Sequence, residues 1–202
     1  MYEKIISEIL DKYPDLGKRR DTFFKALSLI KYPYHVVETG CIRDGTGWGV
    51  PILHGRQIAG DGVSTLIFAE FVSKINGFFW SVDILESSLL LASKLIKENL
   101  NSSMPYVSLW HMDSIDFLSS FTDTIDLLYL DSFDLEPGFV DEAQEHNLNE
   151  FKASENKLSN NCLILIDDYK QPLLGKAGKT LPYLKSLGYK VIMENYQILL
   201  SK

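Results

Sequence analysis

Five short apolar runs, most of them closed by an acidic residue, recur through the chain: HVVETG (35–40), FFWSVD (78–83), YVSLWH (106–111), IDLLYLD (125–131) and CLILIDD (162–168). Helix-like stretches separate them. Residues 63–76 place Phe68, Phe71, Val72 and Ile75 at helical spacing, and 86–99, 114–120 and 138–158 also read as helices. Strands apolar on both faces that alternate with helices predict a parallel sheet covered on both sides. The C-terminus breaks this pattern. After a helix near 180–187, the runs YKVIM and YQILL are separated only by EN. Strands that close together pair antiparallel, because a parallel pair needs a long crossover. The expected architecture is therefore a seven-stranded, mostly parallel α/β sheet ending in an antiparallel hairpin.

The first thirty residues read as two helices, with stripes of Tyr2, Ile5, Ile6, Ile9 and Leu10 and of Phe23, Phe24, Leu27 and Ile30, divided by YPDLG. A segment 1–34 is thus expected beside the main domain 35–202, as a substrate cover or a dimer contact, so a homodimer is an open expectation. The 202 residues suffice for one α/β domain with a sizeable core. A net charge of -7 without a basic tract disfavours nucleic acid as a tight partner. Cys41 and Cys162 are the only cysteines, which argues against a disulfide framework or a Cys-rich zinc site. Neither a signal peptide nor an apolar run of membrane-spanning length is evident, so a cytoplasmic protein is expected.

In open α/β sheets, ligands bind outside the carboxyl ends of the strands. Here those ends carry Glu38, Thr39 and Gly40, then Asp83, then His111 and Asp113, then Asp131, then Asp167 and Asp168. Any one aspartate at a strand exit is as readily a helix cap as a ligand contact. Their recurrence at nearly every strand exit sets them apart from isolated caps. The glycine-rich turn DGTGWG follows the first strand, but no helix follows it directly. A nicotinamide-dependent oxidoreductase would need strand, G-x-G-x-x-G and helix in succession, and the chain lacks that order. GKAGKT (175–180) is not a P-loop, since the first glycine of that pattern falls on Leu173. It reads instead as a basic loop over the pocket, with Lys176 and Lys179 solvated or facing an acidic substrate.

The ordered set VVETG, GDGVST, WSVDI, HMDSIDFL, IDLLYLDS and LILIDDY resembles the class I S-adenosylmethionine-dependent methyltransferases over roughly residues 35–200. It is most similar to their small-molecule O-methyltransferase branch, with its Rossmann-like fold. The resemblance implies S-adenosylmethionine as cofactor. It places Asp83, followed by Ile84, on the ribose hydroxyls, Asp113 and Ser114 on the adenine amino group, and Glu38, Thr39 and Gly40 beneath the methionine part. Asp131 at the fourth strand exit is counted with them. The family's glycine turn is interrupted here. About twenty residues separate Gly40 from GDGVST, so Asp61, Gly62, Ser64 and Thr65 supply the helix-entry half. Residues 41–59 are then an insertion over the pocket, from which Arg43, Trp48 and His54 are placed to touch ligand.

The resemblance also implies methyl transfer to a small-molecule oxygen nucleophile, a sugar or hydroxylated metabolite. An oxygen acceptor needs a general base or a metal. Asp131, Asp167 and Asp168 match positions that hold a divalent ion in metal-dependent members, and hard oxygen ligands suit Mg2+. DSFD and IDDY only approximate the family patterns, so the Mg2+ site stays an alternative to a metal-free reaction. His146, which lies i, i+4 from Glu150, is the leading base or metal neighbour, ahead of Asp131, Asp167 and the weaker His111. The rival from another class is a non-catalytic S-adenosylmethionine-binding domain, in which the acceptor-side carboxylates would be dispensable.

Overall fold

The computed structural model describes the chain except residues 1, 14–15, 31–33, 44–51, 54–55, 58–62 and 171. In chain order the elements are α1 (Glu3–Leu10), α2 (Arg19–Ser28), β1 (His35–Thr39), β2 (Ile52–Leu53), β3 (Arg56–Gln57) and α3 (Val63–Ile75). Then follow β4 (Phe78–Asp83), α4 (Glu86–Asn99), β5 (Val107–His111), α5 (Ser114–Ser120) and β6 (Ile125–Leu130). The chain ends with α6 (Val140–Ser154), β7 (Leu158–Ile166), α7 (Thr180–Ser186), β8 (Lys190–Glu194) and β9 (Ile198–Ser201). Among the described residues, short 3-10 segments at Asn101–Tyr106 and Glu155–Lys157 precede β5 and β7, and a kinked turn at Pro172–Ala177 leads to α7.

Seven strands form one sheet in the order β5-β4-β1-β6-β7-β9-β8, while β2 and β3 make a separate antiparallel pair. β5, β4, β1, β6 and β7 run parallel, and β9 pairs antiparallel with both β7 and β8. The terminal hairpin expected from YKVIM and YQILL is therefore present. Because β8 lies beyond β9, it again runs with the parallel set. One strand differs at its start: β7 begins at Leu158, where Leu158 pairs with Ile125 before a bulge. The polar residues Ser159, Asn160 and Asn161, half-buried or exposed within the bulge, hide this extension because they carry no apolar run.

Alternating strand residues face opposite layers, as the pleat requires. Val36, Phe79, Leu127, Tyr129 and Leu165 join the core beneath α1, α2, α3 and α4. Val37, Val82, Leu128, Leu130 and Ile166 join the core shared with α5, α6 and α7. α3 is buried along most of its length, and its Phe68 ring meets Phe23, Phe79 and Tyr129 at centroid distances of 5.6–5.7 Å. Phe23 comes from α2, so the N-terminal helices close the same core as the sheet. No described helix is long and apolar enough to cross a membrane.

The chain order fixes where a ligand fits. From β1 the chain moves outward to β4 and β5, then returns to β6 on the other side of β1. Connections diverge between β1 and β6, and the crevice at their carboxyl ends is the expected binding place.

Candidate active site

The carboxyl ends at that switch point are tied together by backbone. Gly40 N–H donates to the Val82 carbonyl at 2.9 Å, and Asp131 N–H to the Thr39 carbonyl at 3.1 Å. Gly40 sits at φ +83, and a Cβ there would lie 2.5 Å from the Asp131 carbonyl oxygen. Glycine is required here for both reasons. Gly40→Ala is expected to cost about 2 kcal/mol or more, read as a lower midpoint in urea unfolding.

Gly40, Ser64, Asp83, Ile84 and Asp131 line one cleft of about 440 Å³. Asp83 is built into its wall. One carboxylate oxygen accepts from Cys41 N–H at 2.9 Å, and the other from Leu85 N–H at 2.8 Å. These bonds fix the plane of the carboxylate and leave lone pairs for further donors. Ile84, Leu85, Phe133 and Phe139 supply an exposed apolar rim. Asp134 and Glu136 make the mouth acidic, and Arg43 pairs with Asp134 at 2.7 Å. A carboxylate-rich wall with an apolar rim fits a cationic sulfonium nucleoside.

Glu38 lies one layer below, fully buried. Its Oε2 accepts from the hydroxyls of Thr65 at 2.8 Å and Ser81 at 2.7 Å, while Oε1 has no hydrogen-bond partner. Thr65 Oγ1 in turn accepts from Ile42 N–H, so Glu38 anchors the start of α3 and the exit of β1 together. Burial pushes Glu38 up to about 7 from 4.5. A raised pKa means the folded state takes the proton more readily than the unfolded chain. The resulting stability is fully present below pH 4.5 and is lost as pH rises through 7. Glu38→Gln is expected to remove that slope, worth at most about 3 kcal/mol, in thermal unfolding of the ligand-free protein between pH 4 and 8.

The remaining expected contacts are spread around this cleft. Met112 N–H donates to the Asp83 carbonyl, which brings the β5 exit beside Asp83. Asp113 there caps α5, accepting from Ile115 N–H at 2.9 Å and Asp116 N–H at 3.2 Å. Ser114 is buried and lies 3.1 Å from His146 Nε2. Neither Asp113 nor Ser114 lines the cleft. Asp61, Gly62, Trp48 and His54 lie outside the described residues. His111 Nε2 is 3.0 Å from the Ile84 carbonyl.

His146 sits behind the cleft wall. Its Nε2 is 3.5 Å from Glu150 Oε1, which also accepts from Ser132 Oγ at 2.6 Å, and its ring lies against Phe133, tilted 42° with centroids 5.4 Å apart. Burial alone would lower the His146 pKa, but the Glu150 carboxylate raises it. The buried face of α6 is polar as well as apolar: Gln144, Asn147 and Glu150 turn inward with Ala143 and Phe151. Each of the three has a partner inside: Gln144 donates to the Leu173 carbonyl, Asn147 accepts from the Thr180 hydroxyl and Glu150 from the Ser132 hydroxyl.

Asp131, Asp167 and Asp168 meet with oxygens within 4.8 Å of one another. Two side chains not expected there complete the cluster. Arg19 of α2 donates to both Asp167 oxygens at 2.8–3.1 Å, and its guanidinium lies 4.2 Å over the Tyr196 ring. Lys176, far from being solvated, is 3% exposed and reaches Asp131 at 2.5 Å and Asp168 at 3.3 Å. The loop GKAGKT is thus folded inward; only Lys179 stays near the surface, between Asp141 and Glu145. Burial, then the Asp167 charge, pushes Asp131 well above the usual carboxylate range. Asp168 is lowered, because Lys176 outweighs the burial that would raise it. Hard carboxylate oxygens suit Mg2+ in kind, but the ion's place among them is filled by two cations of the chain.

The sequence profile of a methyltransferase-domain family matches residues 59–169, more than half of the chain. The chain belongs to this methyltransferase family. Among curated proteins none matches it. Solved structures share the fold at low identity. The MycE methyltransferase of the mycinamycin biosynthetic pathway, crystallised with Mg and S-adenosylhomocysteine, is 15% identical with a TM-score of 0.61; the match covers 96% of this chain but 53% of MycE. The O-methyltransferase TomG of Streptomyces achromogenes is 11% identical with a TM-score of 0.55, over 98% of this chain and 87% of TomG. An rRNA methylase from Streptococcus thermophilus is 12% identical with a TM-score of 0.51, over 88% and 91%. This chain's Rossmann-like sheet, the one its sequence led us to expect, is the fold these solved methyltransferases share, two of them crystallised with S-adenosylmethionine or S-adenosylhomocysteine.

Proposed function

We propose that this methyltransferase acts on an oxygen nucleophile of a small molecule, a sugar or hydroxylated metabolite. The observation behind this reading is that Asp131, at the switch point, lines the same cleft as Gly40 and Asp83. S-adenosylmethionine, when bound, supplies an electrophilic methyl group on sulfur and leaves as the neutral thioether. Asp83 orients the ribose through its hydroxyls, with Ile84 along the adenine, while Asp113 and Ser114, outside the cleft lining, are assigned to the adenine side by the sequence resemblance. Glu38, Thr39, Gly40, Ser64 and Thr65 form the floor under the methionine part, and Asp61 and Gly62, outside the described residues, are assigned to the same part by the sequence resemblance. Asp131 accepts the proton of the acceptor hydroxyl as the oxygen–methyl bond forms. Phe133 and Phe139 shield the acceptor from water. His146 holds Ser114 and the Ser132–Phe133 turn in place from behind, a positioning role. Residues 1–34, through Arg19, back the acceptor side.

A ribosomal RNA acceptor is opposed by the mouth itself, where Asp83, Asp131, Asp134 and Glu136 outnumber Arg43 among the described lining residues. Transfer of labelled methyl from S-adenosylmethionine to a panel of hydroxylated small molecules, with RNA alongside, tests the reading. Turnover on a small molecule that Asp131→Asn lowers about a hundredfold or more, with S-adenosylhomocysteine binding kept, is expected. Labelling of RNA alone would contradict it. Cofactor binding without turnover on any acceptor would favour a non-catalytic binding domain.

A further inference from the structure

We propose that Lys176 stands where a divalent cation would sit, so that the Asp131–Asp167–Asp168 cluster works without metal. Every carboxylate oxygen in it already accepts from the chain. Asp131 takes Lys176 Nζ on Oδ1 and the Tyr129 hydroxyl, at 3.1 Å, on Oδ2. Both Asp167 oxygens take Arg19. Asp168 takes the Tyr196 hydroxyl at 2.5 Å on Oδ1 and Lys176 at 3.3 Å on Oδ2. Two cations against three carboxylates leave at most one negative charge, and none where Asp131 holds its proton. A divalent ion added to that set would make the buried cluster positive, beside a cleft that receives a sulfonium, and burying such an excess is unfavourable.

The backbone shows that Lys176 is delivered there by construction. Asp168, Leu173 and Leu174 all have positive φ, at 53, 58 and 67, conformations that disfavour non-glycine residues. Gly175 follows at φ +53, where a Cβ would lie 1.7 Å from the Asp168 carbonyl oxygen. Gln144 of α6 pins this turn, donating to the carbonyls of Leu173 at 3.0 Å and Gly175 at 2.9 Å. Gly178 packs directly against the same amide, with room for no side chain. A strained turn, clamped from a neighbouring helix, thus aims one ammonium into a buried carboxylate cluster.

Lys176 is then a positioning residue: it holds Asp131 at the cleft floor, a consequence that rests on the methyl-transfer reading above. It also sets the acceptor class, because without a metal the acceptor needs one hydroxyl that meets Asp131 rather than a chelating pair. Metal uptake is independent of any acceptor, so its failure and the failure of the reading above are separable. The probe is Mn2+, titrated against the full-length protein and followed by the electron paramagnetic resonance of the free ion. Wild type and Lys176→Arg are expected to take up none, and exhaustive treatment with EDTA to leave the unfolding midpoint and S-adenosylhomocysteine affinity unchanged. Lys176→Met is expected to bind one Mn2+ per chain at least about tenfold tighter than wild type, with a higher unfolding midpoint in its presence. Stoichiometric Mn2+ binding by wild type that Asp168→Asn abolishes would overturn the proposal. So would a cooperatively folded Lys176→Met that takes up no Mn2+. Should Lys176→Met not fold, the wild-type titration decides alone.

Discussion

Replacing Asp83 with alanine is expected to weaken S-adenosylhomocysteine binding about a hundredfold, since two charge-assisted hydrogen bonds to a ribose diol contribute roughly 3 kcal/mol together. The position makes the effect large for two reasons. Asp83 closes β4 beside the switch point, and its oxygens also hold Cys41 N–H and Leu85 N–H, the backbone on either side of the cleft. Asp83→Asn keeps the shape and one acceptor, so a loss of only about tenfold is expected. Calorimetric titration of the three proteins checks this. Binding unchanged in Asp83→Ala would mean that the ribose lies elsewhere.

The second large effect is on stability. Arg19→Met is expected to cost about 3–5 kcal/mol in guanidinium unfolding, because it leaves Asp167, 1% exposed, without its cation. The charge logic gives a sharper check. Adding Asp167→Asn removes the stranded charge, so the double variant is expected to be more stable than Arg19→Met alone. If the two losses simply add, the pair contributes nothing beyond shape. The same replacement loosens α2 from the sheet, since Arg19 also lies over Tyr196 in the turn between β8 and β9.

Much of the fold could be read from the chain because burial is written into it. Val36 and Val37, or Leu127 and Leu128, are apolar on both faces only because helices cover both. The short EN link forces the last two strands to pair antiparallel. What escaped the sequence depends on partners far apart in it. Lys176 reads as a surface lysine in GKAGKT until Asp131 and Asp168 converge on it from two strand exits. Arg19 meets Asp167 across 148 positions. Gln144 carries no apolar signal in the sequence, yet it finds its partners inside, as Glu150 does. Polar burial of this kind leaves no periodic trace, because a hydrogen bond offsets the cost that would otherwise exclude the residue. The one available signal was the excess of aspartates at neighbouring strand exits, which calls for cations from somewhere.

The most direct measurement is a calorimetric titration of the wild-type protein with S-adenosylhomocysteine and, separately, with NAD, each with and without Mg2+. One S-adenosylhomocysteine per chain, bound with the same affinity in both buffers, and no heat from NAD is the expected result. Binding of NAD alone, or S-adenosylhomocysteine binding that requires Mg2+, would contradict this account of the cleft.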